Sequence, residues 1–173
     1  MSAEGRRVLV AGIGNVFLGD DGFGVEVVRR VDSRELPAGV RVTDYGIRGV
    51  HLVYELLDGG TDTLIMVDAV PMEGPPGSLA VLEVGERDLE EGEDGSAVDA
   101  HGMHPLAVLR MLDRLGGEVG RVLVVGCRPA SVAEGMGLSE PVAAAVDEAV
   151  RLVADLARAE ALETGRSEER TDA

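Results

Sequence analysis

The sequence predicts an α/β protein: a three-layer α/β/α sandwich around a largely parallel, mixed five-stranded twisted sheet. Short β-branched apolar runs alternate with segments of helical periodicity along the whole chain. The run at 63–67, TLIMV, is apolar without interruption, as in a strand buried on both faces. The 173 residues, 45% apolar and 28% charged, can bury a real core, yet no apolar run reaches the ~18–20 residues of a membrane span.

Each element follows from local pattern. Residues 8–11, VLVA, read as a buried strand closed by the turn Gly12-Ile13-Gly14-Asn15. Residues 22–31 place apolar side chains at 23, 27, 28 and 31, with Glu26, Arg29 and Arg30 opposite, which predicts a helix. Pro37-Ala38-Gly39 breaks the chain before a second strand at 40–43 that ends at Asp44. Residues 50–57 read as a short helix stopped by Gly59-Gly60, and the third strand, 63–67, ends at Asp68. Three Pro and two Gly between 71 and 77 mark a loop. The fourth strand, 79–84, follows too soon for a crossover helix and is therefore expected to run antiparallel to the third. Residues 85–100 read as an acidic loop, and 105–115 as a helix with Pro at its start and His104 at its cap. Then come a fifth strand at 121–125 and a last helix from an N-cap at Ser139 to about residue 163. The expected organisation is a single domain, 1–163, with a frayed tail at 164–173.

Composition excludes several function classes. A net charge of −16 argues against nucleic acid, whose phosphates need a basic footprint. All sixteen basic residues are Arg, so Schiff-base and P-loop lysine chemistry are absent. A lone Cys127 excludes a disulfide framework and reads as a small core residue. The start of the chain carries no apolar signal core, which suggests a cytoplasmic protein with no membrane partner.

In a parallel α/β sheet, ligands sit off the carboxyl ends of the strands. There the chain carries Gly12–Gly24 (GIGNVFLGDDGFG), Asp44, Asp68 and Cys127-Arg128. The first segment fails as a dinucleotide fingerprint. Phe17 stands where the third glycine belongs, and Asp20 and Asp21 would repel a pyrophosphate. Those acids also suit a helix N-terminus through its dipole. Asp68 is either a loop cap or a functional carboxylate. Of the histidines, His51 lies on a short helix and reads as a surface residue, while His101 falls on a loop able to face the strand ends. Asp21, Asp68 and His101 together make an oxygen, oxygen, nitrogen set suited to Ni, Zn, Mn or Fe, or to carboxylate-assisted hydrolysis.

Three features then resemble a known family. GIGNVFLGDDGFG after a short strand, IMVDAV as the central strand, and a His eight residues before the Leu of VLRML are similar to the hydrogenase maturation proteases. VGCRPASVAEGMGLSEPV resembles that family's segment after the last core strand. The resemblance covers about residues 7–155 and implies a sheet of order 2-1-3-5-4 with strand four antiparallel. It implies an aspartic-type endopeptidase that removes a C-terminal extension from the nickel-loaded precursor of a nickel–iron hydrogenase large subunit. The nickel is carried by the substrate and no organic cofactor is expected. Asp21, Asp68 and His101 fall on the metal-contacting positions, with Asp21 and Asp68 also the catalytic pair, and Asp44 falls on a further acidic position. A monomer is expected. Two departures, Arg48 within GIRG and Arg128 before Pro129, bear on which large subunit is recognised. The alternatives are a non-catalytic nickel-binding chaperone and a nucleoside hydrolase or phosphorylase.

Overall fold

The computed structural model describes residues 6–90 and 104–162. The limits expected for the domain and the tail at 164–173 lie outside those residues. Five strands, β1 (Val8–Ile13), β2 (Val40–Gly46), β3 (Thr63–Ala69), β4 (Leu79–Val84) and β5 (Arg121–Cys127), form one sheet of order β2-β1-β3-β5-β4. β1, β2, β3 and β5 run parallel, and β4 pairs antiparallel with β5. The helices are α1 (Phe23–Arg30), α2 (Gly49–Leu57), α3 (Glu86–Glu90), α4 (Pro105–Arg114) and α5 (Glu140–Ala161).

The two-residue period of the strands builds two cores from one sheet. Val8 and Val10 of β1, Ile65 and Val67 of β3, and Leu123 and Val125 of β5 share one face with Phe23 and Val27 of α1 and with Val142, Val146 and Val153 of α5. Leu9, Ala11 and Ile13, Leu64 and Met66, and Val122 and Val124 point to the other face, against Leu52, Val53 and Leu56 of α2 and Val108, Leu109 and Leu112 of α4. A one-residue slip of any central strand would exchange these sets, so the pattern fixes the register. Burial of Phe23 alone is worth about 2–3 kcal/mol on the transfer scale.

The elements depart from the local reading in instructive ways. β1 continues through Gly12 and Ile13, where a turn was expected, because Gly12 packs beneath α1: a Cβ there would lie 2.5 Å from a Val28 methyl and 2.7 Å from the Gly24 carbonyl. β2 and β3 extend past Asp44 and Asp68, so both acids lie within strands. The pairing of β1 with β2 shifts between Gly12 and Ile13, and Tyr45 is skipped as the bulged residue. Glu86–Glu90 is a short helix rather than loop. Ser139 occupies the N-cap of α5 without making the expected side-chain cap bond; its hydroxyl is engaged by Asp20 instead. His104 likewise stands at the N-cap of α4 without a side-chain cap bond.

At the other end of the sheet, α5 is tied down by a buried acid. Glu160 accepts from Arg121 Nη1 at 2.9 Å and from Thr63 Oγ1 at 3.0 Å. This links the last helix to the first residues of β3 and β5 and leaves the carboxyl ends of the strands to the loops described next.

Candidate active site

The loop from Gly14 to Gly22 is shaped by its own polar side chains. Asn15 Oδ1 accepts from the Phe17 amide at 2.9 Å, and the Leu18 amide donates to the Asn15 carbonyl at 3.0 Å. A 3-10 turn over Gly19–Gly22 then leads into α1. This geometry separates the two neighbouring acids. Asp20 is fully buried, whereas Asp21 is half-buried and accepts from the Asn15 amide at 2.8 Å.

Gly14 is the position on which the site closes. Its φ is +140°, and a Cβ there would lie 1.9 Å from the Asp21 carbonyl and 3.4 Å from Asp68 Oδ1. Glycine is required on both counts. The hydrogen in place of a side chain lets the Asp21 backbone and the Asp68 carboxylate lie against the same glycine, with the Asp21 charge near enough to act on Asp68.

Asp68 is almost wholly buried and accepts a hydrogen bond at 2.8 Å from the Ala69 amide. Burial first, and the nearby Asp21 charge second, push its carboxyl well above the ordinary range, against the opposing effect of the Ala69 bond. A buried carboxylate beside a second carboxylate is an arrangement that a cation or a shared proton relieves. His101, the third residue of the predicted set, lies outside the described residues. Among the described residues, no three His, Cys, Asp or Glu side chains form a group able to hold a metal ion.

The remaining candidates separate clearly. Asp44 pairs with Arg29 at 3.2 Å on the surface, opposite Gly12 in the register of β1 and β2. Arg48 is exposed at the N-cap of α2. Arg128 turns inward on its own neighbourhood: Nη1 donates to the carbonyls of Met72 at 2.8 Å and Gly74 at 2.7 Å, clamping the loop that follows Asp68. His51 is exposed. Cys127 is buried, and burial, with a contribution from the charge of Asp20, pushes its thiol up to about 11, which makes it a poor nucleophile.

Sequence reasoning missed the role of Asp20. Its carboxylate accepts from the amides of Ala130 (2.8 Å), Ser131 (3.1 Å) and Ser139 (2.7 Å) and from the Ser139 hydroxyl (2.8 Å). It is an anchor for the segment between β5 and α5, not a helix-dipole acid. Backbone bonds reinforce the contact: Gly19 donates to the Gly135 carbonyl, Asp20 to Ser131, and Gly135 to Phe17.

The HycI hydrogenase maturation protease family model matches residues 25–156 of this sequence. The hydrogenase expression/formation protein HupD of Rhodobacter capsulatus is 33% identical over 152 residues, which cover 84% of this chain and 70% of that protein. The hydrogenase 2 maturation peptidase from Thaumarchaeota archaeon SCGC_AB-539-E09 superposes with a TM-score of 0.65 at 37% identity, covering 87% of this chain and 97% of that one. The hydrogenase maturating endopeptidase HybD of E. coli superposes with a TM-score of 0.69 at 28% identity, covering 85% and 89%. With the sheet order and the loop after β1 already in place, these matches show that the chain belongs to the hydrogenase maturation protease family.

Proposed function

We propose that this chain is an endopeptidase that removes a C-terminal extension from the precursor of a nickel–iron hydrogenase large subunit once that precursor has received its nickel. The observation that carries the reading is the buried Asp68 carboxylate, with the Asp21 backbone packed against the same Gly14 and the Asp21 charge acting on it, at the carboxyl ends of β1 and β3. Family membership supports the protease class. The electrostatics of the pair support engagement of a cation: two neighbouring carboxylates, one of them buried, are relieved by positive charge.

In this reading the nickel belongs to the substrate. Asp21, Asp68 and His101 contact it, and this contact holds the scissile peptide at the pair. Unloaded precursor lacks that interaction and is rejected, so discrimination comes from a binding contribution present only with metal. A water between the carboxylates gives a proton to one of them as its oxygen attacks the scissile carbonyl. That proton passes to the peptide nitrogen as the C–N bond breaks, leaving a new carboxyl terminus and a released peptide. The reaction is thus of the aspartic type.

The test is incubation of the precursor, with and without bound nickel, followed by intact mass. Loss of a C-terminal peptide from the loaded form alone is expected, with Asp21→Asn, Asp68→Asn and His101→Ala each reducing the rate at least about 100-fold, on the scale of acid–base catalysis. Unimpaired cleavage by Asp21→Asn would sink the assignment. Nickel-dependent binding without cleavage would mark a maturation chaperone instead.

A further inference from the structure

The loops after β1 and β5, beside the acidic pair, expose apolar side chains to solvent. Phe17 is 63% exposed, Val132 49% and Met136 72%. Phe17 lies on the loop after β1, and Val132 and Met136 on the segment after β5, so the two stretches are more than 110 residues apart in the chain. The backbone nevertheless joins them edge to edge through a parallel bridge between Leu18 and Gly135, with the Gly135 amide donating to Phe17 at 2.9 Å and the Gly19 amide to Gly135 at 2.8 Å. The four hydrogen bonds to the buried Asp20 fix the same segment from beneath. The apolar side chains are therefore held out to solvent by a rigid support, the arrangement that lowers the ordering cost of binding. Exposed apolar groups gathered beside a site mark an interaction surface.

Charge selects the occupant. Between residues 14 and 22 and between 129 and 140, the charged side chains are Asp20, Asp21, Glu134 and Glu140, with no basic residue. Asp20 is occupied beneath the surface, which leaves Asp21 half-buried and Glu134 and Glu140 exposed. These two stretches are apolar with negative charge only.

We propose that Phe17, Val132 and Met136 form the docking surface for an apolar segment of the large-subunit precursor that carries at least one basic residue. This deepens the function proposed above and takes from it the identity of the partner. A second copy of this acidic chain is disfavoured as the occupant, because it would bring Glu134 and Glu140 against their own kind.

The experiment measures the affinity of the full chain for each nickel-loaded large-subunit precursor of the same organism by biolayer interferometry. Phe17→Ser combined with Met136→Ser raises Kd at least about tenfold, since two exposed anchors of this size are lost. Glu134→Lys raises it about threefold and flattens its salt dependence. Leu162→Ser removes an equally exposed apolar side chain (74%) at the far end of α5 and leaves Kd unchanged. Circular dichroism checks that each variant folds. A Kd for the double variant within twofold of the unsubstituted protein overturns the proposal. So does equal weakening by Leu162→Ser, or a dimer in sedimentation that the double variant abolishes while precursor affinity holds. Tight binding that depends on Phe17 and Met136, but without cleavage, would support the docking surface while refuting the protease reading.

Discussion

The Asp20 carboxylate accepts four hydrogen bonds in a site without solvent access. Burial alone would raise its pKa. The bonds from Ser139, Ala130 and Ser131 outweigh that and hold it below the ordinary range. A depressed folded-state pKa contributes stability that is fully present above the unfolded value, near ~4, and is lost as pH falls through the folded value. Asp20→Ala would leave three backbone amides and a hydroxyl without their acceptor. Urea unfolding at pH 7 should show a loss of about 3 kcal/mol, the scale of breaking charge-assisted bonds and stranding buried donors. The difference between variant and unsubstituted protein should narrow as the pH is lowered below ~4. A gap that stayed constant through pH 3 would mean that the charge of Asp20 contributes nothing and only its shape matters. Asp21, one residue on, accepts from the Asn15 amide instead, and its charge acts on Asp68.

Helix α1 shows how closely an element must sit for the site to form. A Cβ on Gly24 would lie 1.9 Å from the Val67 carbonyl and 2.6 Å from the Ile13 carbonyl, both of them backbone of the sheet. By helix propensity, Gly24→Ala would stabilise by about 1 kcal/mol. Contact with immovable backbone reverses the sign: a net loss of at least about 2 kcal/mol is expected in urea, since overpacking here moves the helix bodily. Precursor cleavage should fall with it, because the start of α1 carries the turn that holds Asp21. A stabilised Gly24→Ala would show that α1 can back away from β3 without cost.

The strands and most helices were legible because their signals are local: the period-two and period-3.6 patterns sort Val8 from Leu9, and Val142 and Val146 from their neighbours. Asp68 was legible from its place at the end of an unbroken apolar run. The strand order was implied by the resemblance, not by periodicity. The function of Asp20 was invisible because its partners lie more than 100 residues away and three of its four donors are backbone amides, which no residue type announces. The bonds of Arg128 were hidden in the same way: its guanidinium donates to the carbonyls of Met72 and Gly74, backbone acceptors more than 50 residues earlier in the chain.

The whole molecule carries sixteen more acids than bases, and this charge acts on stability and on association in opposite senses. Like charges repel in the compact state, and salt screens them, with a Debye length that falls from about 30 Å at 0.01 M to 10 Å at 0.1 M. Salt also weakens the ion pairs, but Arg29–Asp44, Arg30–Glu26, Arg34–Asp32, Arg41–Glu55 and Arg158–Asp155 are all solvent-exposed and worth little each. Arg121–Glu160, with its buried acid, is screened least. Repulsion therefore wins. Raising sodium chloride from about 0.01 to 0.3 M should raise Tm by about 2–4 °C, which corresponds to roughly 1 kcal/mol for a chain of this size. Over the same range, the proposed docking surface predicts that affinity for a basic, apolar segment of the precursor falls, because screening weakens its attraction to Glu134 and Glu140. The two slopes are read from calorimetry and from binding on the same protein stock. A falling Tm would mean that the surface ion pairs outweigh the net charge. A salt-independent affinity would leave apolar contact as the whole of the recognition.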